Sequence, residues 1–357
     1  MKDKIIIYDI ISYIRMLEDY TFKYIDKLFS RDLDREELHI DEIFTMFSQI
    51  NKKSNKYVLE EKGPTKIDAF ENNPYIPERF KGTIRSFHKN YSYRVNFPKC
   101  SVELNIQCKG ENIDELLHHI LDILRFMVCI DDNKKSFSIH IYLTDYKKSL
   151  SRGSYTPEEV NSGSTDRNNS IIIWRKEDIL KVLIHETIHL LGFDNVEDNE
   201  DIINHYNDKY NLGNKKLNIY EAYTEIWALL IHSYYLALVT QRSLSTKISV
   251  KELFQGYVLI EKHWCNELGG KLLGFFKDGE DVDERTNTTS YYIIKSEILN
   301  DLKGFLELCK NPKLGLKISD NKRFLGYLKN LSKIKKITSS QKRLSSTMII
   351  NSLKIRY

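Results

Sequence analysis

The sequence predicts an α+β protein in which a mixed sheet leads into helices, with further helical regions on either side. Three observations point there. Residues 91–108 and 137–143 alternate apolar and polar side chains as half-buried strands do. Residues 112–128, 179–191 and 221–239 carry apolar side chains at helical spacing or almost throughout. With 41% hydrophobic and 29% charged residues the composition is that of a folded chain, and 357 residues can hold two or three units with sizeable cores.

In chain order, Ile5 to about Leu59 reads as helices. Ile10, Ile11, Ile14 and Leu17 repeat at helical spacing, and Phe22, Tyr24, Leu28, Ile43, Phe44 and Phe47 continue the pattern. Lys62-Gly63-Pro64 through Pro77 reads as an irregular connection. Tyr91, Tyr93, Val95 and Phe97 form one strand. After a break at Pro98-Lys99, Val102, Leu104, Ile106 and Cys108 form its hairpin partner. A helix over 112–128 buries Leu116, Leu117, Ile120, Leu121, Leu124 and Met127. Phe137, Ile139, Ile141 and Leu143 make a third strand and Ile171–Trp174 a fourth. Arg175-Lys176-Glu177-Asp178 then supplies polar helix-start residues. Leu180, Leu183, Ile184, Ile188 and Leu191 give that helix an apolar face, and Gly192 its C-cap. The acidic loop from Asp194 to Asp201 lacks calcium-loop spacing and reads as a solvated turn. Helices are expected over 221–239 and 253–268, a loop over 269–283, N-caps within Thr286–Ser290, and a helix over 291–309. The chain therefore divides into a helical N-terminal region (1–62), a central α+β unit (75–275) and a helical, basic C-terminal region (276–357).

His185-Glu186-Thr187-Ile188-His189 carries the chemistry. Residues four apart on a helix share a face, so the two imidazoles can converge on one ion. Zn²⁺ takes nitrogen donors at about 2.0–2.1 Å and prefers tetrahedral geometry. Glu186 lies roughly 100° round the helix from His185, poorly placed as a ligand and well placed to take a proton from water at the metal. That is the pattern of a zinc hydrolase with a carboxylate general base. A catalytic zinc needs a third protein ligand. Glu221 and Glu225 open the apolar helix over 221–239 and are again four apart. One can bind zinc while the other accepts the free N–H of a bound imidazole, and spacing alone leaves either order open. Asp194 is a further candidate to orient His189.

H-E-x-x-H followed on another helix by Glu, with a carboxylate four residues on, resembles the gluzincin group of zinc peptidases, over about residues 136–240. The resemblance implies His185, His189 and Glu221 as ligands of one Zn²⁺, Glu186 as general base, and Glu225 behind a ligand, or Glu221 and Glu225 with roles exchanged. It implies a zincin-like core, with a mixed sheet and the H-E-x-x-H helix above a helical lower half, acting on a protein or peptide substrate. In such cores an edge strand pairs with the substrate backbone. Val160–Thr165 lies at that place in the chain, although a polar loop is the preferred reading of it. Gluzincins commonly add a Tyr or His from a later segment to hold the developing oxyanion. Tyr291 and Tyr292 are the first candidates, His205 and Tyr223 the alternatives. The metzincin extension does not fit. Its third ligand position holds Asn195, with Asp194 one residue early, and the methionine after the motif is Met348, far from any methionine turn.

Five cysteines, odd in number and without C-x-x-C spacing, read as thiols of a reducing compartment. The charged amphipathic start offers no secretory h-region. The longest apolar run, Ile226–Val239, is too short to span a bilayer and contains His232 and Ser233. A soluble intracellular protein, cytoplasmic or carried in a virion and not secreted, is expected. Abundant Lys, Asn, Ile and Tyr suggest an AT-rich genome, as in giant DNA viruses and some protists and bacteria. Lys310–Tyr357 holds thirteen Lys/Arg against Asp320 alone, a net +12; the whole chain is +4, so residues 1–309 carry −8. Such a block suits a polyanion, nucleic acid or acidic protein, or else folds back on the acidic body. A catalytically silent zincin fold acting through this basic end, as a structural or nucleic-acid-binding protein, is the alternative to the peptidase.

Overall fold

A computed structural model describes residues 38–53, 56–64, 67–130, 136–149, 154–166, 169–194, 198–213, 215–244, 248–276, 283–309, 320–337 and 353–357. The helices expected before residue 38, Asn195 and, within the basic block, residues 310–319 and 338–352 lie outside them. The described chain is α+β, with a six-stranded mixed sheet and eleven α-helices. Its first half runs α1 (Asp41–Lys52), β1 (Val58–Lys62), α2 (Glu78–Arg85), β2 (Lys89–Asn96), β3 (Ser101–Cys108), α3 (Asp114–Ile130), β4 (Phe137–Tyr142), β5 (Ser154–Tyr155), α4 (Pro157–Val160), β6 (Gly163–Thr165) and β7 (Ser170–Ile173). The second half is almost wholly helical: α5 (Ile179–Leu190), α6 (Glu200–Tyr210), α7 (Ile219–Leu244), α8 (Val250–Phe275), the short β8 (Asp283–Glu284), a π-helical turn (Ser290–Ile294), α9 (Lys295–Asn300), α10 (Leu302–Leu308) and α11 (Asn321–Asn330).

The sheet order is β1-β2-β3-β4-β7-β6. The β2–β3 hairpin closes where expected, with the Phe97 amide donating to the Cys100 carbonyl across Pro98-Lys99 at 2.9 Å. The β3, β4 and β7 strands are parallel, and β6 runs antiparallel on the far edge. A parallel pair needs a crossover, and α3 provides the one between β3 and β4. Alternation sorts the side chains. Ile139, Ile141, Ile171 and Ile173 face the main core with α3 and α5. Tyr142, Ile172 and Trp174 face a second cluster capped by Phe70, Ile76, Phe80, Ile84 and Phe87. Behind α5 lies α7, its residues from Ala222 to Ala237 nearly all buried, and α8 packs against α7. No helix among the described residues is long and apolar enough to cross a membrane, and the five cysteines form no disulfide.

The elements depart from expectation where long-range packing decides. Val58–Lys62, read as the end of a helical region, is an edge strand, because its backbone pairs with β2 from Val58↔Asn96 to Lys62↔Ser92. The connection after it buries Phe70 and Ile76 and ends in the amphipathic α2. Helix α8 runs through Gly269, Gly270 and Gly274 rather than stopping at the first of them. A Cβ at Gly269 would sit 2.7 Å from the Tyr292 carbonyl and one at Gly270 2.6 Å from that of Lys335. These glycines let the π-turn and the segment 331–337 lie directly on the helix, which offsets their poor propensity. The helix expected over 291–309 is instead the π-turn, α9 and α10, broken at Asp301. Arg175 to Asp178 lead into α5 as expected, but they do so largely buried and without capping it. Arg175 is fully buried, its guanidinium donating to the carbonyls of Asn161 and Lys147, each at 2.9 Å, and of Glu158. Asp178 is buried with a left-handed backbone, φ 60°, and no side-chain cap bond.

Candidate metal centre

Helix α5 brings His185 and His189 onto one face, as their spacing requires, with Nε2 atoms 2.9 Å apart. Helix α7 crosses α5 and presents Glu221, whose Oε2 lies 3.4 Å from His185 Nε2 and 3.6 Å from His189 Nε2. Among the described residues this is the one group of three or more His, Cys, Asp or Glu that could hold an ion. Bonds of about 2.0–2.1 Å at tetrahedral angles put donors about 3.3–3.4 Å apart. The observed triangle is close to that, and two imidazoles with a carboxylate are a zinc-type donor set.

Each histidine has a carboxylate behind it. The end of α5 is a Schellman motif: Gly192, φ 64°, donates to His189 O at 3.0 Å and Phe193 to Ile188 O at 3.1 Å. That turn returns the chain so that Asp194 Oδ2 lies 2.6 Å from His189 Nδ1. Glu225 does the same for His185 from α7, with Oε1 3.0 Å from Nδ1, close but out of line with the ring N–H. Lys181 and Lys295 both contact the other oxygen of Glu225, at 3.2 and 3.0 Å. Asp198 sits in the acidic loop and accepts from the Ile219 amide at 2.7 Å, tying that loop to the start of α7 two residues before Glu221.

The charges report what the pocket wants. Burial pushes the Glu221 carboxyl up, but the His185 and His189 rings outweigh it and hold it at about 2. Burial pushes His185 down, yet Glu221 and Glu225 raise it to about 9. His189 is likewise raised well above its ordinary value, by Asp194 and Glu221 against burial. Carboxylates outweigh the imidazoles, so the pocket draws protons onto its rings.

Glu186 is buried beside the triangle, and burial raises its carboxyl despite the two imidazoles. The Thr165 hydroxyl lies 2.8 Å from its Oε2 and 2.9 Å from its backbone oxygen, one proton facing two acceptors. Thr165 belongs to β6, so the polar segment before β7 is a short edge strand and not the loop preferred from sequence. A Cβ on Gly163 would meet Glu186 Oε1 at 2.8 Å and Val182 Cγ1 at 2.7 Å, so glycine is what allows β6 to lie on α5. Asn73 Nδ2 donates to Ser164 Oγ at 2.7 Å, holding the strand from its outer side. The cleft between β6 and the His185–His189–Glu221 triangle has a volume of about 680 Å³.

Of the later residues, Tyr291 reaches the centre: its hydroxyl donates to Glu221 Oε2 at 3.2 Å from the π-turn, an insertion often found at functional sites. Tyr292 lines the same cleft but lies under Lys295, with the ammonium 5.1 Å from its ring centroid. His205 packs on Tyr206, and Tyr223 is a core residue against Trp227, Phe305 and Phe324; neither lines the cleft. Gly163 and Thr165 lie within the segment singled out as a possible edge strand, but their contacts with Glu186, and Lys181 and Lys295 altogether, were not anticipated. Lys181 had a signal, four residues before His185 on the same face; the other three depend on tertiary contacts.

Where residues 320–337 and 353–357 are described, they pack on the body. Lys209 Nζ donates to the Leu331 carbonyl at 2.7 Å, Leu353 is buried, and the Lys176 ammonium lies 5.4 Å from the Tyr357 ring centroid. Residues 310–319 and 338–352 of the basic block lie outside the described residues.

Over 316 residues the chain is 26% identical to an uncharacterized protein of Acanthamoeba polyphaga mimivirus, covering 78% of this chain and 80% of that one. A viral origin, one of the sources suggested by composition, is what this likeness supports. No family model and no solved structure matches the chain.

Proposed function

We propose that this protein is a zinc-dependent metallopeptidase of the gluzincin type, hydrolysing peptide bonds in a protein or peptide substrate. The observation that carries the reading is the convergence of His185, His189 and Glu221 into a triangle of 2.9–3.6 Å edges with the Glu186 carboxylate buried beside it. His185, His189 and Glu221 would hold one Zn²⁺. When bound, the ion supplies a Lewis acid that polarises a carbonyl and brings the pKa of water towards about 7.

The chain's own groups do the rest. Glu186 accepts a proton from the attacking water and delivers it to the leaving amine. Its raised pKa suits a group that must both take and give a proton, and Thr165 keeps one oxygen turned to the strand. The Tyr291 hydroxyl, 3.2 Å from Glu221 Oε2, serves the developing oxyanion. The edge strand β6, from Gly163 to Thr165, offers backbone groups to an extended peptide laid along the cleft, with register set by its pairing to β7. Asp194 and Glu225 orient the two imidazoles.

The test is metal content together with turnover. The pure protein should hold about one zinc per chain, lost in the His185→Ala/His189→Ala double variant. Glu186→Gln should keep the zinc and the fold and lower hydrolysis by about 10²–10⁴-fold. Stoichiometric metal in the double histidine variant overturns the ligand set. A wild type that holds zinc yet cleaves nothing in a broad peptide and protein screen favours a silent scaffold over an enzyme.

A further inference from the structure

We propose that Lys181 and Lys295 are positioning residues for His185, acting through Glu225; this rests on the reading of His185 as a metal ligand. Two ammonium groups from different elements meet one oxygen. Lys181 lies one helical turn before His185 on α5, and its Nζ is 3.2 Å from Glu225 Oε2. Lys295 opens α9, directly after the π-turn that carries Tyr291, and its Nζ is 3.0 Å from the same Oε2. The opposite oxygen, Oε1, lies 3.0 Å from His185 Nδ1.

The division of labour between the two oxygens is the point. A carboxylate free to rotate could offer either oxygen, or neither, to the imidazole. With Oε2 held from two sides, Oε1 is committed to Nδ1. The negative charge 3.0 Å from Nδ1, although out of line with the ring N–H, favours the proton on Nδ1 and leaves the Nε2 lone pair directed at His189 and Glu221. Stability alone does not require ion pairs here. The Lys181 and Lys295 side chains are 11% and 3% exposed, and well-packed apolar replacements of buried ion pairs are often neutral or stabilising. An arrangement that costs desolvation energy and converges on the carboxylate behind a ligand is explained by what it does for that ligand. It also fastens α5, α7 and α9 together at the metal centre.

The experiment is a double-mutant cycle read by zinc affinity, measured in the full chain by competition with a chromophoric chelator and with unfolding curves as a control. Lys295→Met should weaken zinc by about 10–100-fold, the usual effect of removing support behind a ligand. In a Glu225→Gln background the same substitution should change affinity little, because the group it acts through is gone. If Lys295→Met fails to fold, Lys181→Met, at the cleft wall, takes its place in the cycle. Unchanged affinity in the lysine variants while the wild type holds zinc overturns this inference alone. Equal losses with and without Glu225 mark a purely structural role and overturn it too. A wild type that holds no zinc removes the metal reading and the inference with it.

Discussion

Two glutamates of the helical half, Glu297 buried and Glu225 largely so, are built from the same ingredients. Glu297, on α9, is closed on every side: it accepts from Tyr206 at 2.8 Å, from Tyr210, and from Lys209 at 2.6 Å. These contacts knot α6 to α9, and Tyr210 in turn accepts from the Ile334 amide at 2.8 Å, bringing in the C-terminal segment. Glu225 has two lysines on one oxygen and a histidine at the other, and it lines the cleft. Burial raises the Glu297 carboxyl more than its donors lower it. Burial also raises Glu225, but Lys181 and Lys295 overwhelm it and hold it well below the usual range. A structural carboxylate is satisfied with one cation and neutral hydroxyls. A carboxylate that must stay charged, with one oxygen reserved, is given an excess of cation.

The strongest way to break this comparison is to neutralise each acid. Glu225→Gln leaves the buried Lys295 and the partly buried Lys181 without their carboxylate and should cost about 3–5 kcal/mol of stability. It should also lower zinc affinity about 10–100-fold. Glu297→Gln should cost a similar stability through Lys209 while zinc affinity stays at the wild-type value. Denaturant unfolding and chelator competition on both variants check this; zinc loss in Glu297→Gln would erase the distinction.

Glu261 sharpens the contrast. It is buried on α8 near Lys181, Lys295, Asp178 and Glu225, and there burial wins, pushing it from 4.5 to about 7. Its folded pKa is raised, so the stability it contributes is fully present below about pH 4.5 and is lost as pH rises to 7. That is on the order of 3 kcal/mol at most. Glu261→Gln should flatten that part of the stability–pH profile, measured as unfolding free energy between pH 4.5 and 8. An unchanged slope would assign it to another group.

The smallest expected effect is at Tyr206. Replacing it with Phe removes one donor to Glu297 and should cost about 1.5–3 kcal/mol, with no change in zinc affinity or turnover.

Local patterns were legible and convergences were not. The β2–β3 hairpin, α3, β4 and the H-E-x-x-H helix are written in alternation and helical spacing, and they form where expected. His185, Glu186 and His189 could be found from a five-residue pattern. Glu221 and Glu225 needed a second helix, and spacing could not order them; the structure puts Glu221 Oε2 near both Nε2 atoms and Glu225 at His185 Nδ1. Thr165, Gly163 and Lys295 meet the site only because β6 lies on α5 and the π-turn lies on α8, contacts with no periodic signature. The glycines of α8 misled for the same reason, since their role is close approach to a segment some 65 residues on.

One small feature has an outsized reach. The glycine turn that ends α5 also sets where Asp194 meets His189. Helix termination and ring orientation therefore share one part, and they cannot vary separately. A loop grafted or lengthened here would look harmless in a comparison of folds and would detune the pocket all the same. In this protein the length of the helix is itself a calibrated setting, read out five residues past the histidine that it fixes.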